Sequence, residues 1–371
     1  MSSSGETLWL QLVSGSGSAA SLARAFLRPV SWAYGAVALA YRGLYEAGLR
    51  RAATPCLPLL SVGALSVGGA GKTTVTAYFA RRALTRGLVP AIILRGYRRH
   101  SSENVTTVSD GTTLLVGPRE GGDEAVLLAQ LCPGAVVVVG KRREEAIGRA
   151  AAAGARVALL DDGFQYFRLR RNVDLVVLNA LQWGPAMTVF PAGILREPPR
   201  MLARASQVWI THVAAVPPEI VAAIRAWAKA YAPSAPQVLC DYRVTACRLM
   251  AGGEVSLAGA TVAAFCGIGS PESFRRSLSS LGPRSLALRI FPDHHPYTPQ
   301  EVADLAEWAA KTGAEVVVTT AKDAVRLGVE AWPEHAPPLA VLEVELQTVE
   351  GETFVEEAME DWLAQTSRPP S

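Results

Sequence analysis

The chain has 371 residues, half of them hydrophobic and 19% charged, with a net charge of +3. That length and apolar content support a large core and more than one domain, which excludes a disordered chain. The small net charge gives no footing for a nucleic-acid partner, so none is expected. Cys56, Cys132, Cys240, Cys247 and Cys266 are odd in number and scattered without a CxxC pair. Neither a disulfide framework nor a zinc site is expected, and a reducing cytoplasm fits.

The first element is "PVSWAYGAVALAY", Pro29 to Tyr41, uncharged between Arg24 and Arg28 on one side and Arg42, Arg50 and Arg51 on the other. It is shorter than the ~20 apolar residues of a bilayer-spanning helix. A signal peptide fits poorly, because "GSGSAAS" lies upstream of the apolar run. Trp32, Tyr34, Tyr41 and Tyr45 with flanking arginines suit a helix lying in a membrane interface from Trp32 to Arg51. The same pattern also suits a helix packed on the protein's own surface.

From Leu57 onward short apolar runs alternate with helical stretches. "LPLLSVG", "VPAIIL", "AVVVVG", "RVALLDD", "VDLVVLNA" and "QVWITHV" read as buried parallel strands, several apolar on both faces. The pattern is a doubly wound α/β sheet of the P-loop NTPase kind. "VTTVSDGTTLLV", Val105 to Val116, reads as an exposed hairpin turning at Asp110-Gly111. After the proline-bearing stretch Tyr231 to Val244 a second set follows: "TVAAFCGIG", "SLALRIFPDHH", "EVVVTTAKDAVRL" and "PPLAVLEVEL". The expected organisation is an N-terminal helical segment over residues 1–52, a P-loop core over 53–240, and a smaller α/β domain over 241–371 whose last helix packs back on the core.

The stretch "LSVGALSVGGAGKTTVTAYFARRAL", Leu60 to Leu84, reads as strand, glycine-rich loop and helix. Gly68, Gly69, Ala70 and Gly71 can turn successive N–H groups toward phosphate oxygens at a helix N-terminus. Lys72 would reach the terminal phosphates, Thr73 would ligate Mg²⁺, and Thr74 completes the turn. The first glycine of the usual G-x-x-x-x-G-K-[ST] pattern is Ser66 here. A metal site needs acidic oxygen as well, and "RVALLDDGFQ" ends an apolar strand in Asp161 and Asp162. One such residue is often only a turn former; two in succession favour metal. These features point to an enzyme using ATP or GTP and name no acceptor.

Further motifs follow the P-loop in order: "LRGYRR", "GGDEA", "DDGFQYFRLRRNVDLVVLNA", "FPAGILREPPRML", "FCGIGSPESF", "FPDHHPYT" and "TTAKDAVRL". From about Leu57 to Leu327 this series closely resembles the tetraacyldisaccharide 4'-kinase family, the lipid A 4'-kinases of Gram-negative bacteria. That family also carries a non-glycine at the position of Ser66. The resemblance implies transfer of the γ-phosphate of ATP, with Mg²⁺, to the 4'-hydroxyl of a tetraacylated glucosamine disaccharide 1-phosphate. It implies that this lipid A precursor is met at the cytoplasmic face of the inner membrane by a peripheral or monotopic protein, which favours the interfacial reading of Trp32 to Arg51. It also implies Asp123 of "GGDEA" as the base and a histidine of "FPDHH" as its partner; His294 is taken as that histidine, a choice between it and His295 that the sequence leaves open. Arg142 is carried over as a catalytic residue, Arg143 and Arg196 as substrate-phosphate residues, Glu197 as a metal ligand, Tyr97 as a substrate residue and Gln165 as a nucleotide residue. Thr74, Ala125 and Tyr166 depart from the family's usual Pro, Pro and His. Two competing readings are a membrane-associated P-loop ATPase switch, which leaves Asp123 and "FPDHH" without a role, and a soluble small-molecule kinase or ligase.

Overall fold

In the computed structural model of the protein, residues 9, 12–15, 17–96, 99, 101, 103–328 and 332–364 are described. Their framework is one twelve-stranded sheet. Its first half contains β1 (Leu59–Ala64), β2 (Pro90–Leu94), β3 (Val105–Asp110), β4 (Val136–Gly140), β5 (Val157–Asp161), β6 (Val173–Asn179) and β7 (Gln207–Thr211). The second contains β8 (Gln237–Leu249), β9 (Thr261–Cys266), β10 (Ser285–Ile290), β11 (Val316–Thr320) and β12 (Leu339–Glu350). The spatial order is β10-β9-β11-β12-β8-β7-β6-β1-β5-β2-β4-β3.

Most neighbours are parallel, and β1, β2, β4, β5, β6 and β7 are buried along their whole length. The continuous Val/Leu/Ile runs follow from that, because helices cover both faces. β1 lies between β5 and β6, at the point where the chain changes winding direction. Loops at the carboxyl ends of such strands open a crevice, and the P-loop occupies it.

The chain between the two strand sets does not leave the sheet. β8 pairs parallel with β7 on one side and antiparallel with β12 on the other, from Leu239 to Leu249. Residue 240, the boundary expected from the proline-bearing stretch, lies inside β8. Two long antiparallel strands therefore join the halves.

The expected exposed hairpin differs from what forms. β3 is an antiparallel edge strand on β4, and Thr106, Val108 and Ser109 are buried. The return arm is short: Ser109 and Leu114 bridge across it, and the Leu115 N–H donates to the Val108 carbonyl at 2.8 Å. The turn itself is as read, with the Asp110 carboxylate accepting the N–H groups of Thr112 and Thr113. Val108 joining the core decides the placement, since its apolar burial is lost in a free hairpin.

Helix α1 (Ser18–Glu46) lies against the loop Val189–Met201. Ser31 Oγ accepts the Ala192 N–H at 2.9 Å, Gly35 faces Pro198, and Tyr34 meets Phe190 edge-on. Its opposite side is bare: Leu22, Phe26, Val30 and Val37, spaced as one helical stripe, are 55–86% exposed, and Trp32 is 73% exposed. Among the described residues no helix is long and apolar enough to cross a membrane.

Candidate active site

Helix α2 (Lys72–Thr85) starts directly after the glycine loop. Its N-cap Gly71 has φ 87°, a left-handed conformation, and a Cβ there would collide with the Tyr242 hydroxyl. Glycine is thus required on two counts. The loop is tied to the sheet by Asn179 Nδ2, which donates to the Gly69 carbonyl at 2.8 Å. Ser66 Oγ donates to Gln182 Oε1 at 2.8 Å, and Gln182 returns a bond to the Val67 carbonyl. The serine that replaces the first P-loop glycine is therefore a fastening point.

At the end of β5 two adjacent carboxyls have opposite surroundings. Asp161 is buried, and Thr76 Oγ1 donates to its Oδ1 at 2.7 Å. Burial, with the nearby charge of Glu124, pushes its carboxyl up to about 7. Burial also raises Asp162, but Lys72 and Arg196 outweigh it and hold that carboxyl below its ordinary range. Lys72 Nζ is 3.4 Å from Asp162 Oδ1, and Arg196 Nη1 reaches both oxygens at 2.8–2.9 Å. Asp162 sits at φ 53°, an uncommon conformation for a non-glycine residue, which turns its side chain out of the strand line toward these cations.

A second cluster spans the two halves of the sheet. Helix α3 (Asp123–Leu131) begins after Gly122, and Asp123 Oδ1 accepts the Glu124 N–H at 3.0 Å. Across the crevice, His294 projects from the left-handed turn after β10 (φ 60°), and its Nδ1 lies 3.0 Å from Asp123 Oδ2. Its neighbour His295 points away, pairing with Glu301 and stacking on Phe291. Arg326 Nε donates to the same Asp123 oxygen at 2.8 Å. Burial raises the Asp123 carboxyl, yet the bonds from His294 and Arg326 prevail and drive it far below the usual range.

The remaining expected residues fall as follows. Thr73 is buried at the start of α2 and Thr74 is half-buried beside it. Gln165 Nε2 donates to the Ala64 carbonyl at the end of β1. Arg143, opening helix α4 (Arg143–Ala152), is buried over the Tyr166 ring. Arg142, the residue before it, is exposed and paired with Glu145. Glu197 is buried, and Arg204, which stacks on Phe164, bridges it at 2.9 Å. Tyr97 lies outside the described residues. Thus Lys72, Asp162 and Arg196 meet in one cluster, Asp123 and His294 in another, while Arg142 and Glu197 have local partners.

Thr76, Tyr242 and Arg326 were not foreseen as site residues. Arg326 stands inside the quoted motif "TTAKDAVRL", so the stretch carried a signal although the side chain did not.

Among the described residues no three His, Cys, Asp or Glu side chains form a metal cage. Mg²⁺ does not require one, since it is usually held by one or two carboxylates, water and substrate phosphate. Asp161, a buried carboxyl at the end of β5 beside Thr76, is of that donor type.

The family model of tetraacyldisaccharide-1-P 4'-kinase matches residues 23–364. The chain belongs to that family. It is 39% identical over 331 residues to tetraacyldisaccharide 4'-kinase of Anaeromyxobacter dehalogenans strain 2CP-C, covering 87% of this chain and 86% of the relative. It is 38% identical over 287 residues to the enzyme of the same name from Desulfotalea psychrophila, covering 76% and 82%. Among solved structures it resembles LpxK of Aquifex aeolicus, determined in complex with ATP, with a TM-score of 0.73 and 28% identity over 91% of this chain and 99% of that one. The resemblance read from the ordered motifs and the P-loop α/β architecture therefore stand.

Proposed function

We propose that this family member uses its two clusters for the two ends of one reaction, transfer of the γ-phosphate of ATP to the 4'-hydroxyl of a tetraacyldisaccharide 1-phosphate. The observation that carries the reading is the pairing of Asp123 with His294 across the crevice, opposite a P-loop whose lysine is already oriented by Asp162. In phosphoryl transfer the protein supplies mostly position and charge neutralisation. Lys72, held by Asp162, neutralises charge on the transferring group, and Arg196 keeps Asp162 ionised and turned toward the lysine. Thr73 and Asp161 would hold Mg²⁺ with the phosphates, and the metal would supply further neutralisation when bound. Arg143 is placed for substrate phosphate, with Gln165 fixing the turn that follows Asp162.

The acceptor's 4'-oxygen bonds to the γ-phosphorus as the bond to the departing ADP oxygen breaks, and the hydroxyl proton passes to Asp123. Oδ2 is occupied by His294 and Arg326, so Oδ1, which among the described residues accepts the Glu124 N–H alone, faces the hydroxyl. A carboxylate held so far down is a weak base. A loose transition state asks for proton acceptance late, so a weak but fixed base suffices. β8 and β12 join the halves, and Asp123 and His294 meet where the two face each other.

We further infer that the exposed stripe Leu22, Phe26, Val30 and Val37 with Trp32 rests in the cytoplasmic face of the inner membrane, where a tetraacyl lipid is presented.

The test is to incubate the full chain with labelled ATP, Mg²⁺ and detergent-dispersed tetraacyldisaccharide 1-phosphate. A bisphosphorylated lipid is expected; ATP turnover with no lipid product would instead identify an ATPase. Removing residues through Arg51 should cut vesicle binding and raise KM for lipid while leaving KM for ATP unchanged. Equal vesicle binding by both forms would return the helix to a packing role.

A further inference from the structure

The motif "TTAKDAVRL" runs from Thr319 to Leu327. It forms the end of β11 and helix α8 (Ala321–Leu327), which packs against α3 across the crevice. Arg326 lies on its inner side, and its side chain is only 6% exposed. All three guanidinium nitrogens are engaged. Nε donates to Asp123 Oδ2 at 2.8 Å, Nη1 to the Gly267 carbonyl at 2.8 Å and to Asp323 Oδ1 at 3.1 Å, and Nη2 lies 3.1 Å from His294 Nδ1.

The anchor behind it is built as firmly. Asp323 is wholly buried; its Oδ2 accepts the Thr320 hydroxyl at 2.6 Å and the Gly267 N–H at 3.1 Å, and its Oδ1 accepts the Tyr297 hydroxyl. Removing either member of such a pair leaves an uncompensated buried charge, so the anchor resists displacement. The planar fork of arginine then transmits the position of Asp323 to Asp123.

We infer that Arg326 is the positioning residue of the phosphoryl-acceptor site, a clamp that fixes the Asp123 carboxylate and sets the hydrogen-bonding state of His294. The inference rests on the reading of Asp123 as base.

The second half of it follows from donor counting. His294 Nδ1 faces an acceptor, Asp123 Oδ2 at 3.0 Å, and a donor, Arg326 Nη2 at 3.1 Å. One ring nitrogen can donate to the first or accept from the second, not both. Arginine never gives up its proton, so its demand is constant. When Nδ1 is bare it accepts from Arg326, and the carboxylate relies on Nε; when Nδ1 carries a proton it donates to Asp123 beside a fixed cation. In either state Oδ2 stays occupied, and Oδ1 is the oxygen left for substrate. Asp123 comes from the P-loop half, whereas Arg326, His294 and Gly267 come from the other. The clamp therefore draws its parts from both halves of the sheet.

The charged and titratable groups around this cluster are Asp123 and Glu124 on α3, Asp293 beside His294, Tyr297, and Lys322, Asp323 and Arg326 on α8; Lys322 pairs with Glu124 at 3.7 Å. Of these, Asp123 and Asp323 are the carboxylates that lose a direct bond when the guanidinium is removed, and Asp123 is the one that faces the acceptor side.

The experiment compares full-length Arg326→Gln, Arg326→Lys and Asp123→Ala with the parent chain, using labelled ATP, Mg²⁺ and tetraacyldisaccharide 1-phosphate across pH. Arg326→Gln should lower kcat by ~10–100-fold, the range for a misplaced but present base, with KM for ATP within about twofold. Its acid limb should move to higher pH, because the carboxylate loses the cation that holds it ionised. Arg326→Lys keeps the charge but not the fork, so its limb should stay and its kcat should recover part of the loss. The clamp is overturned by Arg326→Gln within about threefold of the parent, or by a limb that stays put in Gln while Lys loses as much activity. If Arg326→Gln does not fold, Arg326→Lys decides: a parent-like kcat, or a shifted limb, sinks the inference. Normal turnover by Asp123→Ala would sink the base reading itself; slow Asp123→Ala with unaffected Arg326→Gln removes only the clamp.

Discussion

The nucleotide end and the acceptor end of the crevice are built in different ways. Lys72 opens α2 after the glycine loop that leaves β1, Asp161 ends β5 and Asp162 follows it, and β1 and β5 are adjacent parallel strands that stand ~4.8 Å apart. Nothing beyond one strand pair is needed to bring them together. Asp123 and His294 are 171 positions apart and meet only because α3 and the turn after β10 face each other from opposite halves of the sheet. A site built on one strand pair is fixed by the packing of that pair, whereas a site shared between the halves depends on how the two halves are held together. Changes at the nucleotide end should therefore affect ATP handling in any arrangement. Changes at the acceptor end should appear mainly in turnover.

The largest expected effect is at the shared site. Asp123→Ala should lower kcat by ~10²–10⁴-fold with little change in KM for ATP. His294→Ala should cost less, and the double variant should be little worse than Asp123→Ala, because the histidine acts through the carboxylate. Multiplicative losses would show two independent contributions and dissolve the contrast between the ends.

At the nucleotide end, Lys72→Ala should cost on the order of 3 kcal/mol of transition-state stabilisation, about 10²-fold in kcat/KM, and should weaken ATP as well. Loss confined to kcat, with ATP binding by calorimetry unchanged, would place Lys72 with the shared site instead.

The same contrast decides what could be read from sequence. β1, the glycine loop and the strand ending in Asp161-Asp162 announce themselves by apolar runs and short spacings, and the structure places them as read. Ordered motifs identified the family and implied a histidine of "FPDHH" beside Asp123, while the choice between His294 and His295 was open in the sequence; in the structure it is His294, at a left-handed turn, that lies 3.0 Å from Asp123. Arg326 had no such signal. Its role depends on a helix register and on an antiparallel β8–β12 seam that no local pattern specifies. The β3 segment was legible only in part for a related reason: an Asp-Gly turn predicts a hairpin but not which sheet edge captures its first strand. Glu197 and Arg142 show the converse, since motif position says nothing of Arg204 or Glu145 standing beside them.

A smaller effect tests the two carboxyls of β5. Asp161, pushed up to about 7 by burial, binds its proton more tightly in the folded chain than in the unfolded one, where it titrates near 3.9. The sign follows: this group's contribution is neutral below about pH 4 and becomes increasingly destabilising as pH rises to about 7. Asp161→Asn should therefore stabilise the metal-free protein at pH 8 by roughly 2–4 kcal/mol and leave stability at pH 4 almost unchanged. Mg-ATP should stabilise the parent chain but not the variant. Equal denaturation midpoints for the two proteins across pH 4–8 would show that Asp161 is not the strained carboxyl of the pair.

The smallest expected effect concerns the helix that links the ends. After β12, α9 (Glu352–Leu363) returns to the P-loop half, burying Val355, Met359 and Trp362 against the cluster that holds Phe79 and Leu60. Above that apolar contact Arg82 on α2 pairs with Glu352 and Glu356, and Arg86 also reaches Glu356. The acids are about half exposed, so solvent and salt screen them, and the burial of Trp362, whose Nε1 donates to the Pro58 carbonyl, does most of the holding. Glu356→Gln should lower stability by less than ~1 kcal/mol, and the difference should vanish in high salt. KM for ATP should be unchanged, because α2 is fixed at its other end by the loop bonds of Asn179 and Ser66. A salt-independent loss, or a raised KM for ATP, would mean that the returning helix positions the P-loop through these charges, and the nucleotide end would then be a shared site like the acceptor end.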